Sequence, residues 1–337
     1  MNQIATLPAK NLPIVPVLIA AAGDRASLRF LEFFAAAIRN PHTRRAYIRA
    51  VAEFLAWCAA AGVPSIAAVQ PLHVATWIEI QTRRVSAPSV KQRLAAIKHL
   101  FDWLVTGQVV PVNPAASVRG PQHIVRNGKT PVLEAAEARA LLDSIKVVKT
   151  KTRPDGTAID TTGISLIGLR DRALIALMVF SLARVGAALG MKVEDVYTQN
   201  RRLWVRLKEK GGKAHAMPCH HSLEEYLHAY IDGAGLMTDP KGPLFPTIGR
   251  GTDRLTATPM SQADAHAMIR RRAVAVGIET LLGNHSFRAT GITDYLKNGG
   301  TLETAAAMAN HASTRTTQLY DRRQDTVTLG EIERIRV

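Results

Sequence analysis

Six residues of this 337-residue chain have types and settings suited to holding an oxyanion and moving protons. Arg184 lies in FSLARVGAALG, at the end of a strongly apolar helical run whose packing would fix its guanidinium. His285 and Arg288 stand three apart in NHSFRATGITDYL, a spacing that puts both on one helical face. His311 and Tyr320 stand nine apart in NHASTRTTQLYDRR, and Lys210 sits in the turn KEKGGK. Guanidiniums offer paired N–H donors to an oxyanion, imidazoles exchange protons near neutrality, and phenol and amine groups can act as nucleophile or acid. These groups are useful only if the fold makes them converge.

The elements that must do so read as two helical regions joined by a linker. Residues 1–26 look like a loosely held arm. From 28 to about 110 the pattern is helical. In HTRRAYIRAVAEFLAWCAAAG, Tyr47, Val51, Phe54, Leu55 and Cys58 form one apolar stripe that Gly62 ends. A third helix is predicted over 71–84, and a fourth from Pro88–Ser89 turns Val90, Leu94, Ile97, Leu100, Phe101 and Leu104 inward. The predicted divisions are an arm 1–26, a helical domain 27–111, a linker 112–130 and a second domain 131–337 with a tail 321–337. The proline- and glycine-broken linker offers Arg119, Arg126 and Lys129 to a phosphate backbone. Beyond it, helical patterning resumes at Leu133, the Lys-rich stretch 149–163 reads as an exposed loop, and LRDRALIALMVFSLA as a buried helix. LWVRL and AHAMP flank KEKGGK as a β-hairpin. The rest is mainly helix, with loops near 240–254 and 283–284.

Composition narrows the partner. Lys and Arg number 43 against 27 Asp and Glu, leaving +16 at pH 7, a charge that suits DNA or RNA before a membrane surface. Two cysteines, Cys58 and Cys219, suggest no disulfide framework and point to a reducing cytoplasm. The apolar run 12–22 is short and broken by Pro13 and Pro16, so no membrane association is expected.

Taken in order, the segments around Arg184, Lys210, His285–Arg288, His311 and Tyr320 resemble the catalytic boxes of the tyrosine recombinase family, the phage integrase and Xer-type enzymes. The 23 positions from Arg288 to His311 and nine more to Tyr320 are similar to the family's spacing. TPVLEAAEARALLDSI resembles the opening of its catalytic domain. The resemblance implies a mainly α protein: a four-helix, SAM-like core-binding domain, then a mixed α+β catalytic domain with a small β-hairpin or sheet. It also implies site-specific DNA cleavage and rejoining through a 3′-phosphotyrosine, with strands exchanged via a Holliday junction and no metal, ATP or other cofactor. Arg184 and Arg288 would neutralise charge growing on the non-bridging phosphate oxygens, where paired N–H donors serve better than an ammonium. Lys210, preferred over Lys213, would protonate the departing 5′ oxygen. His285 would accept the phenol proton or hold the phosphate, His311 would donate to a non-bridging oxygen, and Tyr320 would attack. A free phenol titrates near about 10, so such a nucleophile needs a base and nearby cations. Tyr295 reads as core, because Ile292, Tyr295 and Leu296 share one face.

One departure stands out. The family usually carries an acidic residue three positions after its first arginine, and here Ala187 stands there. Asp195 matches a further family position and reads as structural. His215, Cys219, His220 and His221 do not make a metal site, since neighbouring strand residues point apart.

DNA contacts are expected from Thr43, Arg44 and Arg45 at the start of the second helix, where free N–H groups meet basic side chains. Ser89, Lys91, Arg93 and Lys98 on the fourth helix, and Arg270 and Arg271 in the run continued by Arg272, are the other expected contacts. The implied partner is double-stranded DNA with paired sites. The protein would be a homotetramer on it, docked through the C-terminal tail, a monomer or weak oligomer off it, and accompanied by accessory proteins. Two rival readings are a type IB topoisomerase-like relaxing enzyme and a DNA-binding regulator with a decayed site.

Overall fold

The computed structural model describes residues 13–124, 128, 130–152, 158–209, 212, 214–249, 251–252 and 254–321, with backbone alone at 150–152 and 158–162. The chain divides into two units, 1–124 and 125–337, each with its own core.

In the first unit a short helix α1 (Val17–Ala20) precedes α2 (Asp24–Glu32), α3 (Pro41–Ala60), α4 (Pro71–Arg84) and α5 (Ala87–Thr106). The start of α3 is written in Asn40-Pro41. The Asn40 side chain accepts from the His42 and Thr43 amides at 2.9 and 3.2 Å, and Pro41 supplies a pre-set φ where no N–H is needed. Phe30, Phe33, Phe34, Phe54, Trp77 and Phe101 are buried at the centre, with Phe54 and Trp77 edge to face at 5.3 Å. The expected four helices are present, but the expected loose arm is not wholly loose. Leu18 and Ile19 on α1 are buried in this core, because their apolar side chains gain more from burial than the short segment loses in freedom. Likewise part of the expected linker packs here: Ala115 and Val118 are buried, and Asn113 donates to the Lys98 carbonyl at 3.0 Å.

The second unit opens with α6 (Ala135–Ser144), then β1 (Val148–Thr152) and β2 (Ala158–Ile164), α7 (Leu166–Phe180), α8 (Val185–Leu189), β3 (Val196–Gln199), β4 (Arg202–Lys208) and β5 (Ala214–Pro218). It continues with α9 (His221–Gly233), β6 (Pro246–Ile248), β7 (Leu255–Pro259), α10 (Gln262–Ala275), α11 (Ser286–Lys297), α12 (Leu302–Met308) and α13 (Thr314–Gln318). Past Arg172, helix α7 is apolar on every side and therefore lies in the middle. Leu174 and Leu177 are fully buried, each contributing about 1.5–3 kcal/mol of burial. The expected hairpin is β4 and β5, joined by β3 in an antiparallel sheet of order β3-β4-β5. Leu203, Val205 and Leu207 alternate inward along β4.

Two expected loops are otherwise. Strands β1 and β2 pair antiparallel across the stretch 149–163, and β6, inside the stretch read as a loop near 240–254, pairs with β7 just beyond it. Polar and threonine-rich strands lack the apolar alternation that marks a strand in sequence.

Candidate active site

Arg184, expected at the end of the apolar helix, lies beyond it. Helix α7 stops at Phe180 because Leu182 takes a left-handed conformation with φ 53°, and Arg184 then becomes the N-cap residue of α8. That break leaves the Leu182 carbonyl outside any helical ladder. A second break follows α12, where Asn310 takes φ 46°, a conformation asparagine tolerates, and ends the helix beside the Ala309 carbonyl. Arg288, in the first turn of α11 and 1% exposed, uses both. It donates from Nη1 to the Leu182 carbonyl and from Nη2 to the Ala309 carbonyl. Helix ends of this polarity suit a buried cation. Among the described residues its Nε has no partner.

A carboxylate completes the pair. Glu209, one position past the end of β4, accepts from Arg184 Nη1 through Oε2, and its Oε1 stands 3.8 Å from Arg288 Nη1. Glu209 is buried, while the Arg184 side chain keeps 31% of its surface open. Thus one guanidinium is presented outward and the other lies beneath, with a single negative charge bridging them. Burial and the Arg184 charge push Arg288 down to about 10, opposed by Glu209 and Tyr320, so it stays cationic at neutral pH.

The other groups face the same charges. His285, at the N-cap of α11, loses basicity through burial of part of its ring and through Arg288 and Arg184, although the residue as a whole remains accessible. His311 is pushed down to about 4 by burial, then by Arg288 and Arg184. Its Nδ1 lies 2.8 Å from the Thr317 hydroxyl, and its ring lies parallel to that of Tyr320 with centroids 5.8 Å apart. Burial and the two arginines therefore favour the neutral form of both imidazoles. Tyr320 leans on a small cluster of Leu182, Ile292, Leu296, Ala305 and Ala309, and its carbonyl accepts from Thr293 of α11 at 2.6 Å. Tyr295 packs on the same cluster, as expected of a core residue.

Arg184, His285, Arg288, His311 and Tyr320 thus come together across four elements of one unit. Lys210 and Lys213 lie outside the described residues, as do Arg126, Lys129 and the tail 322–337. Ala187 is buried. Asp195 is structural in geometry too, accepting from the Lys192 amide at 3.0 Å. His220 stacks on Phe180 at 4.3 Å and caps α9, and no metal-holding cluster of His, Cys, Asp or Glu occurs among the described residues.

The expected DNA-facing residues divide. Thr43, Arg45, Lys91, Arg270 and Arg271 are exposed, and Ser89 and Lys98 are half-buried. Lys98 reaches the Ala116 carbonyl at 3.1 Å, and Arg44 holds the Ile38 carbonyl at 2.8 and 3.0 Å, which keeps part of its guanidinium occupied. Arg93 is largely engaged within the bundle: it pairs with Glu53, donates to Gln81 at 2.5 Å and lies over Trp77, partners that satisfy a charge with little solvent around it. Arg272, the third of its run, is likewise tied to buried Asp171 at 2.8 Å.

Glu209, Thr293 and Thr317 were missed from sequence. For Glu209 a signal existed: it continues the inward parity of Leu203, Val205 and Leu207, so a carboxylate stands on an otherwise apolar face.

Two guanidiniums, two imidazoles and a phenol converge at helix breaks in a mainly helical, two-unit protein. Residues 156–326 match the phage integrase family and residues 29–108 the phage integrase N-terminal SAM-like domain. The chain belongs to the phage integrase family, the tyrosine recombinases. It is 26% identical over 283 residues to the tyrosine recombinase XerD of Chlorobaculum tepidum, covering 83% of this chain and 85% of that protein. It is 29% identical over 245 residues to XerD of Mycobacterium leprae, covering 70% of each. A post-cleavage complex of XerH on a palindromic difH substrate shares the fold with a TM-score of 0.64 at 17% identity, over 94% of this chain and 89% of that one. A lambda integrase tetramer bound to a Holliday junction shares it at 0.60 and 17%, over 88% and 78%.

Proposed function

We propose that this recombinase cleaves and rejoins double-stranded DNA through a 3′-phosphotyrosine on Tyr320, exchanging strands between paired sites through a Holliday junction. The observation that carries this is the parallel approach of Tyr320 and His311 beside the Arg184–Arg288 pair. The Tyr320 oxygen attacks phosphorus, His285 takes its proton, and the bond to the 5′ oxygen breaks. Lys210 protonates that oxygen, and the ester keeps the phosphodiester energy until a 5′ hydroxyl from the partner strand reverses the step. Charge building on the non-bridging oxygens falls to Arg184, Arg288 and His311. Thr43, Arg44, Arg45, Ser89, Lys91, Lys98, Arg270 and Arg271 hold the phosphate backbone, and four copies assemble on two sites.

A nicked suicide duplex carrying the protein's own site tests this. Wild type is expected to become covalently linked, and Tyr320→Phe to bind equally without linkage. A wild-type protein that binds the site and leaves no adduct overturns the reading. Product formation between two sites, with no relaxation of a supercoiled plasmid lacking one, separates recombination from topoisomerase action.

A further inference from the structure

We infer that Glu209 is a positioning residue for both site arginines and supplies the carboxylate that Ala187 lacks. The inference rests on the functional reading above and asks how that site is held.

Three observations bear on it. Two guanidiniums that must share one phosphate repel each other, and Arg288, nearly free of solvent, cannot be relieved by water. Among the described residues the carboxylate that meets both is Glu209, through one oxygen each. It also stands one position past the end of β4, immediately before Lys210 in sequence. A carboxylate three positions after Arg184 would lie one helical turn along α8, close to the same guanidinium. Ala187 is buried there instead, so the negative charge comes from the hairpin. One charge between two leaves the pair with a net positive charge, which favours an incoming phosphate while fixing where each fork points. By joining Arg184 and Arg288 to the end of β4, Glu209 also makes the hairpin part of the site rather than a neighbour of it.

The test uses the full-length protein and the suicide duplex. Glu209→Gln keeps the shape and removes the charge. It is expected to slow adduct formation at least tenfold with site affinity within about threefold of wild type. Adding Ala187→Asp to Glu209→Gln should recover most of the lost rate, because the charge returns from the other side of Arg184. A purely structural role for Glu209 gives no such recovery. Adduct formation by Glu209→Gln at the wild-type rate overturns the inference, and so does a slow rate that Ala187→Asp leaves unchanged. If Glu209→Gln fails to fold, the same comparison is read on Glu209→Asp, whose shorter carboxylate cannot reach both arginines. Slowing with recovery supports the inference, and slowing without recovery or no slowing overturns it. Absence of adduct in wild type itself strikes the functional reading instead.

Discussion

At the scale of single residues, the site is a balance between charges that burial disfavours and partners that permit them. His311 shows how this becomes a pH dependence. In the unfolded chain it takes up a proton near its ordinary value of 6.5, and in the folded chain only near 4, because burial and the two arginines oppose the charge. Between these values the unfolded state binds more protons, so stability rises with pH across the window. This contribution is complete above 6.5 and lost as pH falls toward 4, and His285 acts in the same direction. Urea unfolding of wild type and His311→Gln at intervals from about pH 7 to about pH 4.5 should therefore diverge, with wild type losing stability more steeply. Parallel curves would show that His311 titrates alike in both states. The grouping of Arg184, Arg288, His285, His311 and Tyr320, five residues that the fold brings together, was legible in sequence through the resemblance of their segments to the family's boxes. Glu209 was not, since a glutamate before a turn looks like any solvated charge, and its partners lie 25 and 79 positions away. The pairing of Arg93 was hidden in the same way: its partners Glu53 and Gln81 come from other helices, so nothing local distinguishes it from a surface arginine.

At the scale of elements, the site depends on where helices stop and how closely they approach. Helix α11 meets the end of α7 at Gly291, where an added Cβ would stand 2.3 Å from the Val179 carbonyl oxygen and 2.5 Å from a Leu182 methyl. A rotamer change can move the Leu182 methyl but not the Val179 oxygen, which is backbone. Gly291→Ala must push α11 away from the break at Leu182, and that overpacking is expected to cost about 1–3 kcal/mol. It should also weaken the Arg288 contact with the Leu182 carbonyl, so cleavage should fall further than the unfolded fraction explains. Denaturant titration alongside suicide-substrate cleavage, at a temperature where the variant is folded, checks both parts. A variant as stable and as active as wild type would mean that the helices are less tightly apposed than the geometry shows. Helix α7 and the β4–β5 hairpin were readable from sequence through apolar content and alternation. The helix breaks were not, because Leu182 is not a residue type that announces a left-handed turn. The pairing of β1 with β2 was hidden by polar residues.

At the scale of the whole molecule, charge and stability are divided between two cores. Residues 1–124 hold 13 Lys and Arg against 5 Asp and Glu, which gives the smaller unit half of the +16, a share that suits a polyanionic partner. Stability in the second unit has a distinct polar pin. Asp171, 1% exposed at the start of α7, accepts from Arg170 at 2.9 Å and from Arg272 of α10 at 2.8 Å, and Arg170 reaches on to the Pro246 carbonyl of β6 at 3.3 Å. Removing the shared carboxylate leaves two guanidiniums facing each other with little water to screen them. Asp171→Ala is expected to destabilise this unit by about 3–5 kcal/mol. The tryptophans allow the two cores to be read apart, because Trp57, Trp77 and Trp103 lie in the first unit and Trp204 lies in the second. In a Trp204→Phe background, tryptophan fluorescence follows the first unit alone while calorimetry follows both. Asp171→Ala should then lower one calorimetric transition and leave the fluorescence midpoint in place. A fluorescence midpoint that moves with the calorimetric one would show instead that the two cores unfold as a single cooperative body.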